Sequence, residues 1–231
     1  MRLYLFFLVC VKLAAIGAFD HDISHGRKIV HFLRHAEGFH NQATEDGLNQ
    51  QNSEFYDASL NSVGVDQCAK LNNATAHIFN DVQLLLISPL RRTIQTAIFT
   101  FPQLLHRIPW IAVEILREQT SKNPADHRHS VSQQSLNFPH ISFENMEGDE
   151  DTVQRKYPDG EPDAHVVERA AVFLRYLANR PEKEVIVVSH GNYLFHLFNH
   201  VLTNVGEEQK VYFQNCEIRS FVLDLTSFGE N

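Results

Sequence analysis

Lys28-Ile29-Val30-His31-Phe32-Leu33-Arg34-His35-Ala36-Glu37 decides how this chain is read. Its first six residues are mostly apolar and β-branched or aromatic, which predicts a buried strand over Lys28 to Leu33. In open α/β sheets ligands bind outside the carboxyl ends of the strands, and Arg34-His35 stands at that end. A fixed cation beside an imidazole suits an oxyanion such as phosphate. A second apolar run, Glu184-Val185-Ile186-Val187-Val188-Ser189, leads straight into His190-Gly191. Two strands that each deliver a histidine to the same sheet edge predict a shared site.

Between and beyond these strands the pattern alternates. Gly38 to Asp57 is rich in Gln and Asn, lacks apolar periodicity and reads as a long loop. A helix is predicted over Val63 to Asn80, capped by Asn61 or Ser62. Gln83 to Ser88 reads as a strand, and Pro89 opens a helix with Arg91, Arg92 and Thr93 in its first turn. Trp110 to Leu116 reads as a third strand, ending at Arg117-Glu118. Thr120 to Gly160 is polar and dotted with prolines, and reads as an insertion over one face. Asp163 to Asn179 repeats Val166, Val167, Ala170, Phe173, Leu174 and Leu177 at helical spacing. Tyr193 to Leu202 reads as helix and Glu217 to Leu225 as an edge strand. Alternating strands and helices predict an α/β fold, a three-layer α/β/α sandwich around a mostly parallel central sheet.

The chain has 231 residues, enough for one sizeable α/β domain. A net charge of −8 argues against nucleic acid or an anionic membrane as the main partner, though a local cationic pocket is compatible with it. Met1-Arg2, the apolar run Leu3 to Ala18 and its small residues read as a signal peptide over 1–18, leaving a single domain over 19–231. That leader implies secretion or the secretory pathway; an uncleaved hydrophobic arm on a cytoplasmic protein is the alternative. Lys12 interrupts the apolar run, so a membrane-spanning helix is a poor reading, and no other segment offers one. Cys10 would leave with the leader, and Cys68 and Cys216 read as two buried free thiols rather than a disulfide framework.

Four strand ends therefore offer Arg34-His35, Ser88 with Arg92 a turn further on, Glu118, and His190. Guanidinium groups bind phosphate oxygens in a fork, and a neutral imidazole can attack phosphorus. A second imidazole and the arginines would stabilise charge on the equatorial oxygens. A carboxylic acid is then needed to protonate the leaving alkoxide, and Glu118 is the candidate. The chemistry so read calls for no metal and no cofactor. Its partner is a small phosphorylated molecule.

These residues resemble the histidine phosphatase superfamily in its phosphoglycerate mutase-like branch. Arg34-His35-Ala36-Glu37 with Asn41 resembles its Arg-His-Gly-Glu…Asn signature, and Asp57-Ala58-Ser59-Leu60 with Gly64 and Gln67 its Asp-Ala-x-Leu-Thr-x-x-Gly-x-x-Gln segment. Ser88-Pro89-Leu90-Arg91-Arg92-Thr93-Ile94-Gln95-Thr96-Ala97 is similar to its Ser-Pro-Leu-x-Arg-Ala-x-Gln-Thr-Ala motif, which makes Arg92 rather than Arg91 the phosphate ligand. Leu116-Arg117-Glu118 resembles the segment carrying the acid, and Val187-Val188-Ser189-His190-Gly191 the second-histidine motif. The resemblance implies a phosphoglycerate mutase-like fold with His35 as nucleophile. It implies that Arg34, Arg92 and His190 hold the phosphoryl group, with Asn41 an extra contact and Glu118 the acid.

Several departures matter. Ala36 replaces the usual glycine, and His40 stands where many members have tryptophan. Gln119-Thr120-Ser121-Lys122 lacks the Tyr-Gly-Lys-like loop of a phosphoglycerate mutase, which tilts the expectation to a phosphoric monoester hydrolase. The acid phosphatase branch, with Arg-His-Gly-x-Arg-x-Pro and His-Asp, fits less well. The alternatives are mutase-type phosphoryl transfer and a non-catalytic phosphate-recognising scaffold. Elsewhere the bland readings prevail: His127-Arg128-His129 as solvated loop, Glu147 to Asp151 as wet surface, and His196 with His200 as helix packing. Asp126, Arg128 and Ser130 have a second reading, as residues that lean over the pocket.

Overall fold

The computed structural model describes residues 26–49, 51–203 and 205–229. The leader over 1–18 and Cys10 lie outside these. Five strands form one sheet: β1 (Arg27–Arg34), β2 (Leu84–Ile87), β3 (Trp110–Ala112), β4 (Glu184–Ser189) and β5 (Ile218–Asp224), in the order β3-β2-β4-β1-β5. All neighbours are parallel except β1 and β5, so the sheet is mostly parallel with an antiparallel edge.

Alternation along the strands divides the core in two, because successive side chains leave opposite faces. Val30 and Phe32 of β1, Leu84 and Leu86 of β2, and Val185 and Val187 of β4 face one layer. There they meet Val166, Ala170, Phe173, Leu174 and Leu177 of one helix, α6 (Asp163–Ala178), and Leu194 of another, α7 (Gly191–His196). Leu33, Leu85, Ile87, Ile186 and Val188 face the other layer. They pack on Cys68 and Leu71 of α2 (Ser62–Thr75) and on Ile94 and Ala97 of α3 (Arg91–Thr100). This is the expected three-layer α/β/α sandwich.

Some element ends move. The expected loop Gly38 to Asp57 contains a short helix, α1 (Phe39–Glu45), whose start is fixed by the Gly38 N–H donating to Asn41 Oδ1 at 3.0 Å. Seven residues are too few for an apolar repeat to show. Asn61 caps α2 through Gly64 N–H, and α2 stops at Thr75, short of Asn80. The third strand ends at Ala112 instead of Leu116, and a 3-10 turn over Glu114–Leu116 follows. There the Glu114 carboxylate turns inward to pair with Arg117 at 2.8 Å and Arg128 at 3.0 Å. The helix expected from Tyr193 begins at Gly191 and loosens into a π-helical stretch over Leu197–Val201.

The segment after Glu118 is folded down by charge. Within it lie two short helices, α4 (Val131–Asn137) and α5 (Thr152–Lys156). Arg128 is buried, not solvated: beyond Glu114, it donates to the carbonyls of His129, Asp149 and Glu150. Asp151, expected on a wet surface, accepts from Arg117 at 2.6 and 2.9 Å through its two oxygens. The acidic run and the basic tripeptide are thus partners across one tether.

Candidate active site

β1, β2 and β4 end on the same rim, and their exits build the site. Backbone bonds lock the β1 exit: His35 N–H donates to Ser189 O at 2.9 Å, and Ala36 N–H to Thr96 Oγ1 at 2.9 Å. The His35 carbonyl accepts from Cys216 N–H at 3.2 Å and from the Asn215 amide at 3.1 Å. One turn of α3 before Thr96 stands Arg92, buried to 1% exposure. Gly64 lets α2 approach closely, since a Cβ there would run into the Glu37 carbonyl. Gly191 has the same role beneath Tyr212, whose hydroxyl occupies the space a side chain would need.

The rings of His35 and His190 lie 5.1 Å apart, both fully buried. His35 Nδ1 is 2.8 Å from the Ala36 carbonyl, and a carbonyl only accepts, so the proton of the neutral ring sits on Nδ1 and Nε2 keeps its lone pair. Burial first, then the Arg92 and Arg34 guanidinium groups, hold the His35 imidazole well below its ordinary value of 6.5. His190 is lowered in the same way by burial and Arg92; its Nε2 meets Ser88 Oγ at 2.7 Å. Arg34 donates to the Phe213 carbonyl at 2.7 Å and lies 5.2 Å above the Tyr212 ring. Arg92 donates to the Ala125 carbonyl and reaches Asp126 Oδ1 at 3.3 Å.

Arg34 Nε, Arg92 Nε and His190 Nδ1 are buried without a hydrogen-bond partner among the described residues. Polar groups buried in this state are costly unless something is meant to meet them.

Glu118 is placed not by a strand end but by the 3-10 turn and by Arg169, which donates to the carbonyls of Ile115, Arg117 and Glu118. Its carboxylate faces the start of α7, accepting from Tyr193 N–H at 3.1 Å and Gln119 N–H at 3.0 Å. Burial, then the Asp126 carboxylate, raises its pKa above the ordinary 4.5 against the opposing pull of Arg92, Gln119 N–H and Arg34. A carboxyl whose pKa is raised in this way keeps its proton to higher pH than an ordinary one.

A cavity of about 380 Å³ gathers Arg34, His35, Asn41, Arg92 and Glu118, with His190 against the His35 ring behind it. All six residues singled out in the sequence therefore meet in one place. Asn41 uses its Oδ1 on Gly38, leaving its amide N–H groups as the end a ligand could meet. Of the three residues read as leaning over the pocket, Asp126 lines it, Arg128 is a buried tether and Ser130 caps α4.

Sequence reasoning did not assign roles to His40, Ser121, Asn192 or Tyr212, which also line the cavity. The His40 ring is 5.6 Å from that of His35, and its Nδ1 is buried and unpartnered. For Tyr212 the signal was Gly191, whose missing side chain makes room for it. Cys68 and Cys216 are buried free thiols, as expected. His196 and His200 stack 5.4 Å apart beside Phe195, in keeping with helix packing.

An α/β/α sandwich carrying paired imidazoles and guanidinium groups at the ends of parallel strands defines an anion-handling fold. The chain belongs to the Histidine phosphatase superfamily (branch 1), whose sequence model matches residues 30–228. It is 32% identical over 232 residues to a phosphoglycerate mutase-like protein of Arabidopsis thaliana, covering 86% of this chain and 85% of that one. A second Arabidopsis relative, phosphoglycerate mutase-like protein 2, is also 32% identical, over 86% of this chain and 75% of its own. Among solved structures the fold is similar to ecdysone phosphate phosphatase from Bombix mori, in complex with tungstate, with TM-score 0.57 and 12% identity. That match covers 85% of this chain and 92% of the other. A mycobacterial glucosyl-3-phosphoglycerate phosphatase in complex with VO3 aligns with TM-score 0.52 and 16% identity, over 85% and 98%. At such identities these two structures speak for the fold alone. The family resemblance read from the motifs is borne out.

Proposed function

We propose that the protein is a phosphomonoester hydrolase working through a phosphohistidine on His35. The observation that carries this reading is the set of buried, unpartnered nitrogens of Arg34, Arg92 and His190 beside a His35 ring whose pKa burial and the arginines lower well below its ordinary value. In the first step His35 Nε2 forms a bond to phosphorus as the bond to the leaving oxygen breaks. Glu118 gives its proton to that oxygen, so the alcohol departs neutral. The guanidinium groups and His190 hold the equatorial oxygens, whose charge needs fixed donors rather than mobile water. In the second step water attacks phosphorus, Glu118 takes its proton, and the N–P bond breaks to release phosphate. Asn41 is an additional contact to the bound ester.

The test is release of inorganic phosphate from a panel of phosphomonoesters, together with quenched-flow trapping of an acid-labile phosphoenzyme. Wild type should form both products and His35→Ala neither. Labelling that persists in His35→Ala would move the nucleophile elsewhere. The names of the Arabidopsis relatives favour a second reading, transfer of the phosphoryl group back to a substrate hydroxyl. Phosphate retained on an organic product, with none free in solution, would select it.

A further inference from the structure

The alcohol side of the cavity carries a charge pattern that the phosphoryl chemistry does not use. Arg34 and Arg92 are the only lysine or arginine residues among the described lining residues, and both are needed at the phosphoryl group. Four acidic residues border the same space, Glu118, Asp126, Asp159 and Glu161, but the Glu161 carboxylate is fully buried against Arg169, His165 and the Thr120 N–H. Two of them have cations outside the cavity. Arg169 pairs with Glu161 at 2.8 Å, and Lys122 reaches Asp159 at 3.1 Å on the exposed rim. Asp126 is held by Ser121 Oγ at 2.5 Å and by Arg92. Neutral groups complete the wall, including Gln119 and Asn192, the latter accepting from the Tyr212 hydroxyl at 2.9 Å.

An alcohol bearing a carboxylate or a second phosphate would therefore approach the Asp126 and Asp159 carboxylates and find no cation not already claimed. Juxtaposed like charges are a strong means of rejecting a ligand. Hydroxyl groups, by contrast, can donate to the carboxylates and exchange hydrogen bonds with the amides.

We infer that the site takes phosphomonoesters of uncharged, hydroxyl-rich alcohols and discriminates against esters whose alcohol half is anionic. The inference rests on the phosphomonoesterase reading for its chemistry, but binding alone can judge it. Glycerol 3-phosphate and 3-phosphoglycerate share a skeleton and differ by a hydroxymethyl group in place of a carboxylate. In wild type the kcat/KM for phosphate release should favour glycerol 3-phosphate by about tenfold or more. Calorimetric binding of the two esters to His35→Ala should show the same preference without turnover. Asp159→Lys, which places a cation on the rim, should shrink both ratios.

A ratio near one, or one inverted toward 3-phosphoglycerate, in turnover or in binding, overturns the inference; so does a ratio that Asp159→Lys leaves unmoved. Absence of phosphate release with the binding preference intact would count against hydrolysis while supporting the ligand class.

Discussion

Arg91 and Arg92 are adjacent in sequence and opposite in circumstance. Arg92 is buried at the site, whereas the Arg91 side chain points toward His129, 3.5 Å away, and its backbone N–H is anchored by Asp57 at 2.7 Å. Arg92→Ala is expected to lower kcat/KM by about 10²–10³, the usual loss when one donor to a transition-state oxygen is removed. Arg91→Ala should stay within about threefold, because it deletes no donor at the site. Steady-state phosphate release by both variants checks the difference.

The pH profile follows from two opposite shifts at single residues. His35 stays neutral until pH falls below its ordinary 6.5, so the acid limb of kcat/KM should lie below that value. Glu118 stays protonated above its ordinary 4.5, so the alkaline limb should lie above that value. Glu118→Gln should abolish the alkaline limb and lower the rate for esters of poor leaving groups most. A profile whose alkaline limb survives in that variant would assign the acid elsewhere.

His35, Arg92 and His190 were legible in the sequence because each follows or opens an element whose period announces it. His40 and Tyr212 were not, since they reach the cavity by tertiary approach from segments with no period, and Asp126 was read there only together with Arg128 and Ser130, which do not line it.

At the scale of elements, the strands were visible through their apolar runs, yet their ends were set by where single charged side chains find partners in the fold. Glu114 is the plainest case: the Trp110 to Leu116 run looks uniformly strand-like, but a buried carboxylate facing Arg117 and Arg128 turns the chain out of the sheet. The same tether explains why a polar, proline-dotted insertion is ordered. Desolvation opposes the Asp151 carboxylate, but its bonds to Arg117 hold its pKa below the ordinary range. Asp151→Ala would strand a buried guanidinium between Glu114 and an empty position. A loss of about 3–5 kcal/mol in denaturant unfolding is expected, as for other broken buried pairs. Because Arg117 precedes Glu118, kcat should fall as well, and a variant with normal stability would show that the tether is dispensable.

For the whole molecule, burying neutral imidazoles makes stability depend on pH in a definite direction. His35 and His190 bind protons less readily folded than unfolded. As pH falls through 6.5 the unfolded chain takes up protons first, so stability should decline on acidification from that point. Each fully buried imidazole contributes up to about 1.4 kcal/mol per pH unit. The depressed carboxyls of Asp151 and Glu161 add a further loss as pH falls below their ordinary values and through their folded ones. Glu118 works the other way: its raised pKa adds native-state protons above 4.5 and trims the effect there. Melting temperatures measured from pH 8 to 5 should fall, and a flat profile would mean that the imidazoles titrate freely in the folded protein.

β5 runs against its one neighbour, β1, and Ile218, at its start, pairs with Leu33 two residues before His35. The approach to that strand supplies the Phe213 carbonyl to Arg34 and the Asn215 and Cys216 amides to the His35 carbonyl. Translation therefore completes the roster of reactive groups at His190 and makes their backbone support only afterwards. A nascent polypeptide halted between the two would own every side chain of the proposed site and still lack the bonds that hold the His35 carbonyl in place.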